Sequence, residues 1–217
     1  MKFFIIVLFL SFSSFAQETE QYYFKPDKWL KGIHLMAGGG LNGSIYHSEV
    51  ERQNQGIGLN LKTDLGYYFS DRFAIEASSN VKFNKVSEYL VWDTLLTLGV
   101  RYRFEDFPFT KSKSMYMRAF YGIAPTVFFL DDAPEIYRST DASRIQYDGP
   151  VYGLALGNMY ETKKGRVWFM EYGLSYQDLK NVEGIKDEVA PQVVFKDARG
   201  GNIIIYSAYV SIGVLVF

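Results

Sequence analysis

From residue 32 onward, apolar and polar residues alternate with a period of two in one segment after another. In residues 57–69 the odd positions are nearly all apolar, whereas the even positions are small or polar. Successive side chains of a β-strand point to opposite faces of the sheet, so this alternation predicts strands with one apolar and one polar face. The short stretch Ser70-Asp71-Arg72 separates this segment from an equally alternating one that begins at Phe73, which is the pattern of a β-hairpin.

The alternation defines eight segments. They cover roughly residues 32–46, 57–69, 73–84, 90–105, 114–129, 152–161, 168–177 and 203–217. Such alternation is typical of two classes, a soluble antiparallel sheet with its apolar face inside and a membrane barrel with its apolar face outside. Soluble strands usually have about 5 to 6 residues, whereas a tilted spanning strand needs about 9 to 11. The length of these segments therefore favours the membrane barrel, with long exterior loops at residues 47–55, 130–149 and 180–202.

Aromatic residues support the same class. The chain has 17 Tyr and 18 Phe, and many lie near the ends of the apolar faces. One group consists of Tyr67, Phe69, Phe73, Tyr102, Phe104 and Trp168, and the other of Phe83, Trp92, Phe129 and Tyr176. Two aromatic girdles are expected where a barrel crosses the two membrane interfaces.

The last segment, GNIIIYSAYVSIGVLVF, is too short for a spanning helix of about 20 residues, and its β-branched residues favour a strand. We expect it to close the barrel with its even positions, from Ile204 to Val216, facing lipid and with Ser207, Ser211 and Gly213 inside. This register leaves two possibilities for Phe217: either a bulge turns it outward, or it plugs the lumen. Within the fifth segment, Pro125 lacks a backbone donor and predicts a bulge or a strand end.

The N-terminus predicts export. Lys2, the apolar stretch from Phe3 to Leu10 and the small residues ending at Ala16 predict a signal peptide over residues 1–16. Residues 17–31 then form a periplasmic lead-in, and residues 32–217 the barrel. The formal net charge of -1 does not suggest nucleic-acid binding, and the absence of cysteine excludes disulfides and thiolate sites.

These features together resemble the eight-stranded outer-membrane β-barrel family, the OmpA-like and OmpX-like transmembrane domains. The resemblance covers residues 32–217 and rests on the signal peptide, the eight segments, the stretch YYFSDRFAIE and the terminal Phe217. It implies an all-β fold, an eight-stranded antiparallel up-and-down transmembrane β-barrel in the cell outer membrane. It also implies that Phe217 helps the barrel-assembly machinery to recognise the last strand.

Charged residues occupy the predicted inward face. The expected lumen network consists of His34, Lys62, Asp64, Glu76, Lys82, Asp93, Arg101, Arg103, Glu105, Arg118 and Glu171. Five acids and five bases nearly balance. Since an eight-stranded barrel is only wide enough for its own side chains, we expect these charges to pair and fill the interior.

Other chemistry has weaker support. Some members of the family are lipid A acyl hydrolases or acyltransferases, but hydrolysis needs a nucleophile, a base and an orienting acid in reach of one another. The only histidines are His34 and His47, and the adjacent His, Ser and Glu of YHSEVE point in different directions on a strand. The acidic residues Asp131, Asp132 and Glu135 lack the spacing of a calcium loop.

The sequence thus predicts a structural or interaction role, with exterior loops that contact partners. The first alternative is a small-solute or ion pore and the second a lipid A-modifying acyl hydrolase. No cofactor, metal or catalytic residue is expected. The expected partners are outer-membrane lipid and lipopolysaccharide, and the barrel-assembly machinery during biogenesis.

Overall fold

The alternating segments form ten β-strands in the structure, a computed structural model that describes residues 32–48, 51–86, 89–104, 115–129, 144–162, 166–183 and 202–216. The strands are β1 (Gly32–Ser48), β2 (Glu51–Tyr68), β3 (Phe73–Val86), β4 (Tyr89–Arg103), β5 (Met115–Ile123), β6 (Thr126–Phe129), β7 (Arg144–Asp148), β8 (Pro150–Glu161), β9 (Val167–Glu183) and β10 (Ile203–Leu215). Among the described residues, no helix is long and apolar enough to cross a membrane. The predicted signal peptide and lead-in, residues 1–31, lie outside the described residues.

The strands close into an antiparallel barrel. Antiparallel pairing links the strands in sequence around the barrel, except that β5 pairs with β8, β6 with β4 and β7, and β7 with β9, and β10 pairs both with β9 and with β1. Since β6 continues β5 and β7 continues β8, the ten strands form eight barrel strands. The predicted eight-stranded antiparallel barrel is therefore confirmed.

The stagger of the strands determines the width of the barrel. Residues that pair directly from one strand to the next form a row around the barrel. A row that starts at Leu35 of β1 reaches β1 again at Ile45, ten residues further along the chain. The row runs through Leu35, Leu65, Ala77, Leu98, Tyr121, Tyr152, Tyr176, Tyr206 and Ile45. With a rise of about 3.3 Å per residue and about 4.8 Å between strands, this stagger gives a tilt of about 40° and a radius of about 8 Å. Such a barrel has room for side chains only.

Two prolines interrupt the wall at one level. The fifth barrel strand stops at Ile123 and resumes at Thr126, which confirms the strand end predicted at Pro125. Pro150 pairs with Ile123 on the neighbouring strand, so two backbone donors are missing within one short stretch. The strands nevertheless remain hydrogen-bonded at this level. The Ala124 N–H donates to the Gly149 carbonyl at 2.9 Å, and the Thr94 N–H donates to the Pro125 carbonyl at 3.0 Å.

The two ends of the barrel differ in their connections. At the turn end, where β1 begins, Ser70-Asp71-Arg72 joins β2 to β3; at the loop end, where β1 stops, residues 130–143 join β6 to β7. The predicted exterior loops were too long in every case, because β1 and β2 extend to Ser48 and Glu51, β7 occupies 144–148 and β9 reaches Glu183. Polar residues dominate these extensions, so apolar alternation did not reveal them.

Inward and outward faces follow the predicted alternation with one correction. Met115 was expected outside but is buried at the start of β5. In β10 the even positions face outward as predicted, and Ile203, Ile205 and Tyr209 lie on the inner face together with the small residues. The pairing of β10 with β1 and β9 shows no register shift from Ile203 to Val214, so no bulge turns this part of the strand. Phe217 itself lies outside the described residues.

Inside the barrel, large rings lie against glycines. A Cβ atom added to Gly153 would collide with the ring of Phe120, and one added to Gly173 would collide with the ring of Tyr209. Gly157 has the same relation to Tyr116. Each ring and its glycine are paired residues of neighbouring strands, so glycine lets the ring lie over the adjacent backbone, and the narrow lumen accommodates rings as well as charges.

We therefore expect Gly173→Ala to lower the free energy of unfolding by about 1 to 3 kcal/mol, since the added methyl displaces Tyr209. Urea unfolding in lipid vesicles, followed by tryptophan fluorescence, measures this change. Gly39→Ala is the matched control, because Gly39 faces outward and the nearest side-chain atom to its Cβ would be Leu61 at 3.3 Å. Equal effects of the two substitutions would contradict the ring-on-glycine packing.

Candidate functional site: the charged lumen

The inward positions of the strands bring most of the predicted network together. His34, Lys62, Asp64, Glu76, Lys82, Asp93, Arg101, Arg103, Arg118 and Glu171 are all buried, each at most 6% exposed. Glu105 lies outside the described residues. Solvent therefore hardly reaches these charged groups, and their partners must come from the lumen itself.

Glu76 is the carboxylate that lies closest to Arg101 and Arg118. One of its carboxylate oxygens lies 2.9 Å from Arg101 Nε and 2.8 Å from His34 Nε2, and the other lies 3.2 Å from Arg118 Nε. These residues come from β1, β3, β4 and β5, so the carboxylate connects four strands through the lumen. Removing it would leave two buried guanidinium groups short of an anion.

Asp64 and Glu171 complete the anionic side of this cluster. Lys62 Nζ lies 2.7 Å from Asp64 and 2.5 Å from Glu171, which is on the opposite wall. Arg101 and Arg118 lie 3.7 to 3.9 Å from the same two carboxylates. We call Lys62, Asp64, Glu76, Arg101, Arg118 and Glu171 the central ion cluster. Its three acids and three bases balance, as a desolvated set of charges requires.

A separate ion pair lies nearer the loop end. Lys82 Nζ is 3.5 Å from Asp93, which also accepts hydrogen bonds from Thr126 at 3.0 Å and Gln177 at 2.9 Å. Lys82 donates to the Ser175 hydroxyl at 3.3 Å. Between this pair and the central ion cluster, neutral polar side chains such as Asn60 and Ser211 hydrogen-bond across the lumen at 2.6 Å.

Apolar side chains close the lumen beyond the charges, which the sequence analysis did not predict. The turn-end cluster contains Met36, Tyr68, Ala74, Tyr116, Met159, Val167 and Phe169, with Leu215 packed against it. The loop-end cluster contains Tyr46, Val86, Val91, Leu95, Phe120, Ala124, Phe128, Tyr147, Val151, Leu179, Ile203 and Ile205. The guanidinium carbon of Arg101 lies 4.0 Å from the ring centre of Tyr116, and that of Arg118 lies 4.9 Å from that of Phe120. The central ion cluster therefore contacts both apolar clusters directly.

Two tyrosines belong to the site although the sequence analysis did not select them. The Tyr116 hydroxyl donates to Glu171 at 3.0 Å, and the Tyr209 hydroxyl donates to the same carboxylate at 2.9 Å. Tyr116 lies two residues from Arg118 and thus on the same strand face, which was the signal available in the sequence. The predicted register of β10 also places Tyr209 inside, but nothing in its apolar surroundings indicated that its hydroxyl would reach Glu171.

The histidines give no support to hydrolytic chemistry. His34 contacts Glu76 through Nε2 and packs on Tyr68 at 4.7 Å between ring centres, so a base and an acid meet without a serine between them. His47 is exposed at the loop end, and the side chain of Ser48 and residues 49–50 lie outside the described part of the chain. Within the described residues, no group of three or more metal-binding side chains occurs. Asp131, Asp132 and Glu135 fall in the segment that the structure does not describe.

The barrel is similar to solved structures of known proteins, although its sequence matches no known family. No protein-family model matches the chain, and no curated protein sequence matches it either. Among solved structures, Ail, the attachment invasion locus protein of Yersinia pestis, aligns with a TM-score of 0.51 at 12% identity, over 86% of this chain and 99% of that chain. Ail in complex with the heparin analogue sucrose octasulfate gives 0.51 at 10% identity over 86% and 99%. Neisserial surface protein A gives 0.51 at 13% identity over 85% and 97%.

This chain has the fold of the eight-stranded outer-membrane β-barrels. Its outward face matches what such a barrel presents to lipid. At the turn end Phe73 lies 4.9 Å from Tyr102 and 6.1 Å from Phe69, and toward the loop end Phe83 lies 5.2 Å from Trp92, all between ring centres. The outer-membrane barrel fold therefore explains the two aromatic groups as well as the polar interior.

We expect Glu76→Gln to lower the free energy of unfolding by about 3 to 5 kcal/mol, because it removes one anion from a buried, balanced set. Urea titration of the refolded barrel in vesicles measures the loss. Glu161→Gln serves as the control, since Glu161 is only partly buried at the turn end, and it should change the free energy of unfolding by less than about 0.5 kcal/mol. If Glu76→Gln had no larger effect than the control, the central ion cluster would not stabilise the barrel.

Proposed function

We propose that the protein resides in the outer membrane as a closed, non-conducting barrel that holds its exterior loops in place for surface contact. The central ion cluster, enclosed between the turn-end and loop-end clusters, is the observation that carries the proposal. A filled interior makes the wall rigid and leaves the loop end as the surface on which binding residues are most readily carried.

The closed lumen follows from size and desolvation. An ion entering the barrel must displace side chains of the loop-end cluster, such as Phe120 and Phe128, and then the paired charges beneath them. In a lumen of about 8 Å backbone radius, little room remains for its hydration shell. The pore alternative has less support for this reason.

The contact role has support from the loop end and from the comparison. Connections at residues 130–143 and 184–201 are the longest in the barrel and lie at this end. Of the similar structures, Ail is described as an attachment protein and was solved with a heparin analogue. By analogy we propose that the loops of this protein contact an external surface or molecule, and that residues 1–16 direct its export.

Lipid A hydrolysis has the least support. An acyl hydrolase needs its nucleophile and base on a surface that the lipid can reach. His34 is buried in the lumen with Glu76 and Tyr68, and no hydrogen bond or ion pair joins the exposed His47 to a serine or an acid among the described residues. The protein is therefore proposed as a binding and scaffold protein, not an enzyme.

Cell fractionation tests the proposed location. We expect the protein in the outer-membrane fraction, and we expect it to migrate faster on a denaturing gel before heating than after, because a closed barrel resists detergent at room temperature. A known inner-membrane protein and a known periplasmic protein mark the other fractions. A soluble protein whose migration does not change on heating would contradict the proposal.

Planar-bilayer recording tests the closed lumen. The wild-type protein should give no stable current steps, since the two apolar clusters exclude a hydrated path. Phe120→Ala removes a side chain of the loop-end cluster that closes the lumen. Leu154→Ala is its control, because it removes an outward side chain from the neighbouring strand. Reproducible single-channel steps from the wild type would establish the pore alternative instead.

A further inference from the structure

Four tyrosines form a continuous row on the outer surface of the barrel. Tyr121, Tyr152, Tyr176 and Tyr206 are directly paired across β5, β8, β9 and β10. Their ring centres are 5.0, 6.4 and 5.4 Å apart in that order. Tyr121 is 57% exposed, Tyr152 49% and Tyr206 51%, so half of each of these side chains is available to a partner.

The row begins well below the interface that would normally attract tyrosines. It is the second half of the paired row that leaves β1 at Leu35 and returns at Ile45, and the first half is entirely aliphatic: Leu35, Leu65, Ala77 and Leu98. Because the row rises about 25 Å along the barrel axis in eight steps, Tyr121 lies near mid-height and Tyr206 near the loop end. The upper girdle pair Phe83 and Trp92 lies roughly 10 Å above Tyr121 by the same geometry.

Hydroxyl groups at this depth need partners. Interfacial positions explain Tyr176 and Tyr206, whereas Tyr121 and Tyr152 project into the layer where lipid chains provide few hydrogen-bond partners. No hydrogen bond from any of the four hydroxyls to another described residue is present in the structure. The opposite wall carries leucines and isoleucines at the same level, so the protein does not need tyrosine there merely to contact lipid.

We propose that this tyrosine row binds a single outer-leaflet glycolipid of the lipopolysaccharide class, with acyl chains along the rings and polar linkage groups on the hydroxyls. The exposed area supports one lipid molecule and not a second barrel. Three half-exposed rings and the partly exposed Tyr176 offer on the order of 400 Å², about half of what each partner buries in a stable protein interface.

Glycolipid chemistry fits the row better than phospholipid chemistry. Acyl chains of lipopolysaccharide carry hydroxyl and amide groups at and just below the interface, where the middle of the row lies, whereas phospholipid tails are pure hydrocarbon beyond their ester groups. The tilt of the row from mid-height to the loop end lets one elongated molecule contact all four rings. This inference assumes the outer-membrane location proposed above.

Native mass spectrometry of the purified, refolded barrel in detergent tests the inference without depending on location in the cell. The protein is mixed with lipopolysaccharide or with phosphatidylethanolamine, and the bound fraction is measured over a range of lipid concentrations. We expect tighter binding of lipopolysaccharide. Replacing all four tyrosines by phenylalanine should weaken that binding by about tenfold, since it keeps the rings and removes at least two hydrogen bonds.

The matched control carries Tyr67→Phe, Tyr102→Phe and Tyr160→Phe, which remove outward hydroxyls at the turn end and should leave lipopolysaccharide binding unchanged. Equal binding of the two lipids by the wild-type protein would overturn the inference, as would equal losses in the two variants. A dimer that disappears in the four-tyrosine variant would assign the row to a second copy and would also overturn it. Fractionation away from the outer membrane, with lipid binding intact, would contradict only the proposed location.

Discussion

Eight strands with a stagger of ten residues close around a lumen that is only as wide as the side chains inside it, and the other features of the structure follow from this constraint. Each large inward residue must find room against its neighbours, so rings lie over Gly153, Gly157 and Gly173 of the adjacent strands. Charges in so narrow a space lose their water and must pair, as Glu76 does with Arg101 and Arg118. The middle of the interior thus behaves as a protein core composed of polar groups, in which each charge needs its partner.

The fold was predictable because one face of each strand had to be apolar over its full length. Residues 57–69 and 73–84 alternate so regularly that their strands, faces and hairpin turn followed from the sequence alone. The ends were less predictable, because the polar extensions at Ser48, Glu51 and Glu183 are held by backbone pairing that side-chain character does not record. In β10 both faces are apolar, but the small residues Ser207, Ser211 and Gly213 marked the inner face, and the pairing with β1 and β9 agrees with that register.

The site was predictable in composition but not in arrangement. Every second residue of a strand points to the same face, and this strict alternation placed Glu76, Arg101 and Arg118 on the inner face. Alternation alone gives no distances across the lumen, so it did not indicate that Glu76 would contact two arginines while Lys82 and Asp93 formed a separate pair. The apolar clusters were not predicted, because the sequence analysis selected only charged residues on the inner face, whereas the narrow barrel makes an inward apolar side chain such as Phe120 close the lumen.

The paired prolines in the wall affect how the barrel opens locally. Beyond Pro125 and Pro150 toward the loop end, β6 has only four residues and β7 only five. Only a few residue pairs join this hairpin to β4 and β9. The break in the strands at the two prolines separates its pairing from that of β5 and β8. Opening of the hairpin therefore costs less free energy than separation of any two complete strands. The hairpin is thus a local unfolding unit whose opening leaves the central ion cluster intact.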